Sequence, residues 1–264
     1  MQRFKQSIAS LMYQWFPSLW LKFLLISKNR NLEPELWLVP RLLNEGGVAI
    51  DVGANTGIWS MQLSRFAQHV HAFEPNPICF RQLARVLPPR VAVHRCALSD
   101  HVGTAELRFD PNNTGVGTIE RGNQLQDNPG IERVDTMEVE VTRLDAFNFV
   151  GVALIKIDVE GHEEAVLCGA EEIIRRDRPT VITEIEERHN PGGLHRIRAL
   201  FQRMDYVATA LDCGELRYLE HIEAESRHEL AHASDINNFV FIDQARASRL
   251  FSIEEPSESS SEHV

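Results

Sequence analysis

The chain has 264 residues, enough for one domain with a sizeable core, and its composition (43% hydrophobic, 25% charged) is that of an ordinary globular protein. Twenty-seven Lys and Arg against 38 Asp and Glu leave a net charge of −11. A surface that acidic repels phosphate backbones, so a nucleic-acid partner is disfavoured. The four cysteines, Cys79, Cys96, Cys168 and Cys213, form no CxxC pair and no metal-ligand spacing. Each flanks an apolar segment, which predicts buried, reduced thiols and a cytoplasmic location.

In chain order, the first apolar segment is Leu11–Ser27, interrupted by Gln14, Pro17 and Lys22. It is too broken for a membrane span of about 20 apolar residues and lacks the centre and cleavage site of a signal peptide. Residues 1–44 are therefore expected to form a helical cap, with a membrane-surface helix or a homodimer contact as alternatives. From residue 47 strands and helices alternate: "GVAID", then "GIWSMQLSRFA" with Ile58, Met61, Leu63 and Phe66 turned to a core. "VHAFE" is followed by "NPICFRQLARVL", with Pro77 in the first helical turn, and "VAVHRCAL" reads as a third strand. Residues 103–143 break the rhythm with two period-two segments, "GTAELRF" and "MEVEVTRL", around the Gly- and Asn-rich "NNTGVGTI". That predicts an antiparallel excursion, whose Asn112, Asn113 and Thr114 suit either turn formation or hydrogen bonds to a sugar. The alternation resumes with "VALIKID", the helix "GHEEAVLCGAEEIIRR" burying Val166, Ala170, Ile173 and Ile174, "PTVITEI", "GLHRIRALFQRM", "YVATAL" and "NNFVFI". The pattern predicts an α/β doubly wound sheet over residues 45–245. Residues 246–264, acidic and Ser-rich, read as a disordered tail.

The first strand runs into "DVGANTG", Asp51 to Gly57, before a helix. Ligands of open α/β sheets bind beyond the carboxyl ends of the strands. Gly53 allows a close backbone approach and Gly57 tight helix packing, with Ala54 and Asn55 between them. The spacing is GxxxG after an acid, not the GxGxxG that seats a pyrophosphate, which disfavours an NAD-dependent oxidoreductase. Asp51 would repel phosphate and suits a cationic amine. Glu74, 23 residues after Asp51 and followed by Pro75, is placed to accept the hydroxyls of a ribose. Ala97 and Leu98 at the next strand end could flank an adenine. Amine, ribose and adenine without phosphate describe S-adenosylmethionine.

These stretches resemble the FkbM-type methyltransferases: "IDVGANTGIWS" (50–60), "VHAFEPNP" (70–77), "ALSD" (97–100), "IKIDVEGHEEAVLCGA" (155–170) and "PTVITEI" (179–185). The second-to-last is the specific one. The resemblance implies a Rossmann-like seven-stranded sheet, mostly parallel with an antiparallel last strand and helices on both faces. It also implies methyl transfer, usually to a hydroxyl of a sugar, glycan, glycolipid or secondary metabolite. Asp51, Gly53, Asn55, Gly57 and Glu74 would hold S-adenosylmethionine.

An alcohol is a weak nucleophile, and a positioned base adds about 10²–10⁴-fold. Asp158, Glu160, His162 and Glu184 are the candidates, Asp158 nearest the cofactor and acceptor, with Glu160 or His162 as the base. Glu163 and Glu164 suit a helix first turn, where carboxylates face the dipole. A divalent ion on Asp158, Glu184 and His162 is a further possibility. "HELAH" (228–232) fits the HExxH zinc motif and would make a hydrolase, leaving the glycine loop unexplained. A non-catalytic scaffold that keeps the fold is the remaining alternative.

Overall fold

The computed structural model describes residues 15–27, 29, 32–43, 46–113, 116–123, 125, 130–226 and 236–252. The HELAH segment, Thr114 and residues 253–264 of the expected tail lie outside them, as do residues 1–14. No helix among the described residues is long and apolar enough to cross a membrane.

The N-terminal segment supplies helix α1 (Pro17–Ile26), a 3-10 turn (Pro34–Leu38) and the single turn α2 (Val39–Leu42). Then follow β1 (Val48–Val52), α3 (Ile58–Leu63), β2 (His69–Phe73), α4 (Pro77–Val86) and β3 (Val91–His94). Pro77 opens α4, where its missing N–H costs nothing, and the Asn76 side chain accepts from the Ile78 N–H at 2.9 Å. β8 (Val152–Ile157), α5 (Glu163–Cys168), α6 (Glu171–Asp177), β9 (Thr180–Glu184) and α7 (Gly193–Gln202) continue the rhythm. It ends with β10 (Tyr206–Asp212), β11 (Glu215–Tyr218), α8 (Leu219–Ser226), β12 (Asn238–Asp243) and α9 (Gln244–Ser252). Residues 246–252, expected in the tail, are thus helical, with Ala247 fully buried.

The main sheet has the order β11-β10-β12-β9-β8-β1-β2-β3. β12 lies antiparallel between β9 and β10, and β9, β8, β1, β2 and β3 pair in parallel, each with the next. The expected seven strands become eight because β11 folds back on β10 as a hairpin. Alternate residues of one strand face opposite layers, as the pleat requires. Ile155, Phe239 and Phe241 pack with Val166, Ile173, Ile197 and Phe201 from the helices on one side. Leu154, Val240 and Ile242 pack with Trp59, Leu63 and Leu83 on the other. Phe201 stacks on Phe241, ring centroids 4.1 Å apart, and each such buried side chain stabilises the fold by about 1.5–3 kcal/mol.

The excursion is a second sheet of order β4-β7-β5-β6, made by β4 (Ala97–Leu98), β5 (Gly103–Phe109), β6 (Gly117–Thr118) and β7 (Asp135–Thr142). β5 and β7 pair antiparallel as the period-two pattern predicted. "VAVHRCAL" is not one strand: β3 ends in the main sheet and β4 joins β7 in the second. The long helix expected over 161–176 is two, split at Gly169, where a Cβ would stand 1.9 Å from the Ser99 carbonyl oxygen. Cys79 and Cys96 are buried, but Cys168 and Cys213 are exposed, because they sit at a helix end and in the β10–β11 turn. Phe66, beyond the end of α3, is exposed rather than core.

Candidate active site

Beyond β1 the chain must turn sharply to enter α3, and Gly53, Asn55 and Gly57 all adopt positive φ (+81°, 43° and +84°). The close approach that Gly53 permits is to backbone. A Cβ there would lie 1.9 Å from the carbonyl oxygen of Asp158, just past β8, and the Asp158 N–H donates to Val52 O at 3.0 Å. The Gly53 and Ala54 N–H groups share the Phe73 carbonyl at 3.0 and 3.1 Å. The ends of β1, β2 and β8 are thus tied together. Gly57 brings the start of α3 against Leu83 of α4, whose Cδ2 a Cβ would meet at 2.7 Å.

Glu74, the first residue past β2, is buried, yet both of its oxygens are directed. Oε2 accepts the Asn55 N–H at 2.9 Å and Oε1 the Asn76 N–H at 2.8 Å. Burial pushes its carboxyl up to about 7, against those two backbone donors. Each oxygen keeps a lone pair for a further donor. Asp51 sits deeper and does not line the pocket. Ser60 Oγ donates to its carboxylate, and burial raises its pKa to about 6.

One pocket opens at these strand ends, with about 700 Å³ of empty space counting its open mouth. Its lining includes Gly53, Asn55, Glu74, Pro75, Ala97, Leu98, Asp158, Glu160 and His162, with Phe73, Leu107 and Ile119 as apolar wall. Nine of the residues singled out in the sequence therefore meet in one cavity. Ala54, packed in the core, and Gly57, packed on Leu83, are outside its lining. Glu184, at the end of β9, is outside the lining.

Glu160 holds an unusual backbone for a side-chain-bearing residue, φ +53°. Its carbonyl is fixed by Thr118 Oγ1 at 2.9 Å and Asn123 Nδ2 at 2.8 Å, both from the excursion. Its carboxylate lies 3.0 Å from His189 Nδ1. Burial first, and then the neighbouring Asp158 charge, raise its pKa to about 7. His162 is held at both ring nitrogens: Nδ1 is 3.0 Å from Glu120 Oε2, and Nε2 is 2.9 Å from Ser99 Oγ. Burial works against the Glu120 charge, but the His162 hydrogen bond and backbone donors hold its pKa below the usual value. Glu163 closes back on the Gly161 N–H at 2.8 Å, a helix-start role, with its carboxyl raised to about 7 by burial.

Sequence reasoning missed the neighbouring Lys156. Its side chain is fully buried, with Nζ 3.8 Å from Glu33 Oε2 and 5.2 Å from the Trp59 ring centroid. Trp59 Nε1 in turn donates to Glu33 at 3.0 Å. Burial opposes the lysine's charge, but Asp158, Glu33, Glu184 and Asp51 together raise its pKa. Glu184 belongs to this group: burial and Asp158 raise it to about 8, against the pull of Lys156. The signal was present, since a lysine inside "ALIKI", a run buried on both faces, must have an anionic partner. His162 and Glu184 are thus committed to different neighbours. Among the described residues no group of three or more His, Cys, Asp or Glu is arranged to hold a metal ion.

The Methyltransferase FkbM domain family matches residues 51–208. The chain is 34% identical over 199 residues to the 31-O-demethyl-FK506 methyltransferase FkbM of Streptomyces tacrolimicus, a match covering 64% of this chain and 75% of that protein. It is 32% identical over 193 residues to Methyltransferase sdnD of Sordaria araneosa (61% and 73% covered). It is also 32% identical over 151 residues to the Hexuronic acid methyltransferase AglP of Haloferax volcanii (53% and 58%). The crystal structure of Methyltransferase FkbM from Methylobacillus flagellatus KT shares the fold, with a TM-score of 0.51 at 18% identity. That match covers 79% of this chain but only 47% of the other, so the chain spans about half of that protein. The chain belongs to the FkbM family of S-adenosylmethionine-dependent methyltransferases.

Proposed function

We propose that this chain transfers a methyl group to a hydroxyl oxygen of a sugar, a glycan or glycolipid, or a secondary metabolite. The observation that carries this reading is one pocket lined by both Glu74 and Glu160, a ribose acceptor and a carboxylate tuned near neutrality. The residues present fit S-adenosylmethionine. Glu74 is aimed by two backbone donors and has acceptor capacity left for two hydroxyls. Ala97, Leu98, Phe73 and Leu107 offer an apolar wall to an adenine, and no phosphate-binding glycine run competes. When bound, S-adenosylmethionine supplies an electrophilic methyl on a sulfonium.

The residues of the chain align the acceptor and take its proton. Alignment alone is worth about 7–11 kcal/mol in such displacements. Glu160 takes the hydroxyl proton as the new C–O bond forms. Its pKa of about 7 lets it be ionised at working pH and still bind a proton well. Its backbone, clamped by Thr118 and Asn123, keeps it in place. His162 is the second candidate and is less free, because Glu120 and Ser99 occupy its two nitrogens. The net charge of −11 supports a small-molecule or glycan acceptor over a nucleic acid, and four free cysteines support a cytoplasmic location. The similarity to a hexuronic acid methyltransferase supports a sugar-type acceptor, and that to a 31-O-demethyl-FK506 methyltransferase supports an oxygen acceptor.

The test is transfer of labelled methyl to a panel of sugars, uronic acids and macrolide alcohols. Wild type is expected to label a hydroxyl. Glu160→Gln is expected to bind S-adenosylhomocysteine normally while its kcat falls about 10²–10⁴-fold. Normal cofactor binding with no transfer to any hydroxyl would favour the scaffold reading instead.

A further inference from the structure

Helix α1 presents two apolar faces. The inner one is accounted for: Leu21 and Leu25 are buried against Met61 and Val86. On the outer one, Trp15, Phe16, Leu19, Phe23 and Ile26 are 54–76% exposed, and Trp20 stacks on Phe23 with centroids 5.6 Å apart. So many large apolar side chains exposed within a dozen residues mark an interaction surface rather than scattered exposure.

Charge decides what the surface fits. Residues 1–32 contain five bases (Arg3, Lys5, Lys22, Lys28 and Arg30) and no acid, in a chain whose net charge is −11. Lys22 projects among the exposed apolar residues, and with Arg65 and Arg90 it lines a shallow groove along the flank of α1 that has no acidic residue. A second copy of the same face would bring these cations against themselves. A surface of anionic headgroups over hydrocarbon complements both features, and tryptophan with phenylalanine beside lysine and arginine is the composition that settles at that boundary. We propose that the outer face of α1 docks the protein onto an anionic lipid surface, lying in its plane. The ten-residue helix is about 15 Å long, half the thickness of a hydrocarbon core, so it rests on the bilayer and does not cross it. This inference stands independently of the proposed methyl acceptor.

The test is flotation of the full chain with vesicles of phosphatidylcholine alone and of phosphatidylcholine with roughly a third phosphatidylglycerol. The expected result is partition onto the anionic vesicles, weakened at least about tenfold in roughly 0.5 M salt. Leu19→Ser with Phe23→Ser and Ile26→Ser, all outward-facing, should abolish partition with an unchanged melting curve. Lys22→Glu with Arg65→Glu should lower it about fivefold or more per side chain. Failure to float with anionic vesicles overturns the proposal. If sedimentation then shows a dimer that the Ser variants dissolve, the face joins two copies. If the chain is monomeric, another part of it covers the face.

Discussion

Replacing Gly53 by alanine separates two costs that the sequence motif alone conflates. The residue sits at φ +81°, where an L side chain costs about 1–2 kcal/mol. Its Cβ would also lie 1.9 Å from the Asp158 carbonyl oxygen, a backbone atom that cannot rotate away. Restoring the 3.0 Å that real Cβ contacts keep means parting the two chains by more than 1 Å. That strains the Asp158 N–H to Val52 O bond of 3.0 Å, and leaving such a buried pair unmade costs about 1–3 kcal/mol. The total is about 2–5 kcal/mol, which for a domain of this size lowers Tm by roughly 10 °C. Gly46→Ala is the control: it has a similar φ, +79°, and nothing within 4 Å of the added carbon. It should cost only the conformational part, with Tm lower by about 4 °C. Calorimetry on both variants, with S-adenosylhomocysteine titration of whatever stays folded, reads the difference. Equal Tm shifts, or a Gly53→Ala variant with unchanged ligand affinity, would refute the contact between strand ends as the reason for this glycine.

Three further outcomes are expected. Lys156→Met leaves Asp51, Asp158, Glu33 and Glu184 without their buried cation, and breaking such a group costs about 3–5 kcal/mol. Because Asp51 and Glu184 then resist ionisation more, the loss measured by urea unfolding should be greater at pH 8 than at pH 5.5. In the ligand-free wild type, Asp51, Glu74, Glu163 and Glu184 have folded pKa values of about 6, 7, 7 and 8, all above their unfolded values. The folded state therefore holds more protons between about pH 4 and 8, and stability falls as pH rises through that window, so Tm should be higher at pH 5.5 than at pH 8. The pH profile of kcat should rise with an inflection near 7, where Glu160 ionises, and Glu160→Gln should flatten that limb; an unchanged limb in the variant would move the base elsewhere.

Much of this arrangement is legible from local chemistry. Strand ends followed by Gly or an acid mark the pocket mouth, and the period change at 103–143 marks the second sheet, because both signals act over a few residues. The features that escaped depend on chain segments distant in sequence. The β10–β11 hairpin turns on Cys213 and Gly214, both at positive φ as a two-residue hairpin loop requires. Cysteine is not a residue that announces such a turn, as asparagine or aspartate would. Glu120 and Ser99 reach His162 from 42 and 63 residues away, and no pattern within either segment points to the partner. Glu184 reads as a strand-mouth acid like Asp158. Its carboxyl is set by burial and by the charges of Asp158 and Lys156, and although "ALIKI" signals a buried lysine, Glu184 is marked as one of its partners only once β9 is known to flank β8.

Isothermal titration with S-adenosylhomocysteine, on wild type and on Glu74→Ala, tests whether Glu74 holds the ribose of the cofactor. Glu74 must be ionised to accept hydrogen bonds from two hydroxyls, so affinity should fall as pH drops below about 7, where its buried carboxyl takes up a proton. Micromolar binding is expected at pH 8, weakening toward pH 6, with a loss of at least about tenfold in Glu74→Ala and the pH dependence gone. A folded wild type that does not bind, or a Glu74→Ala variant that binds as well as wild type, would contradict this role.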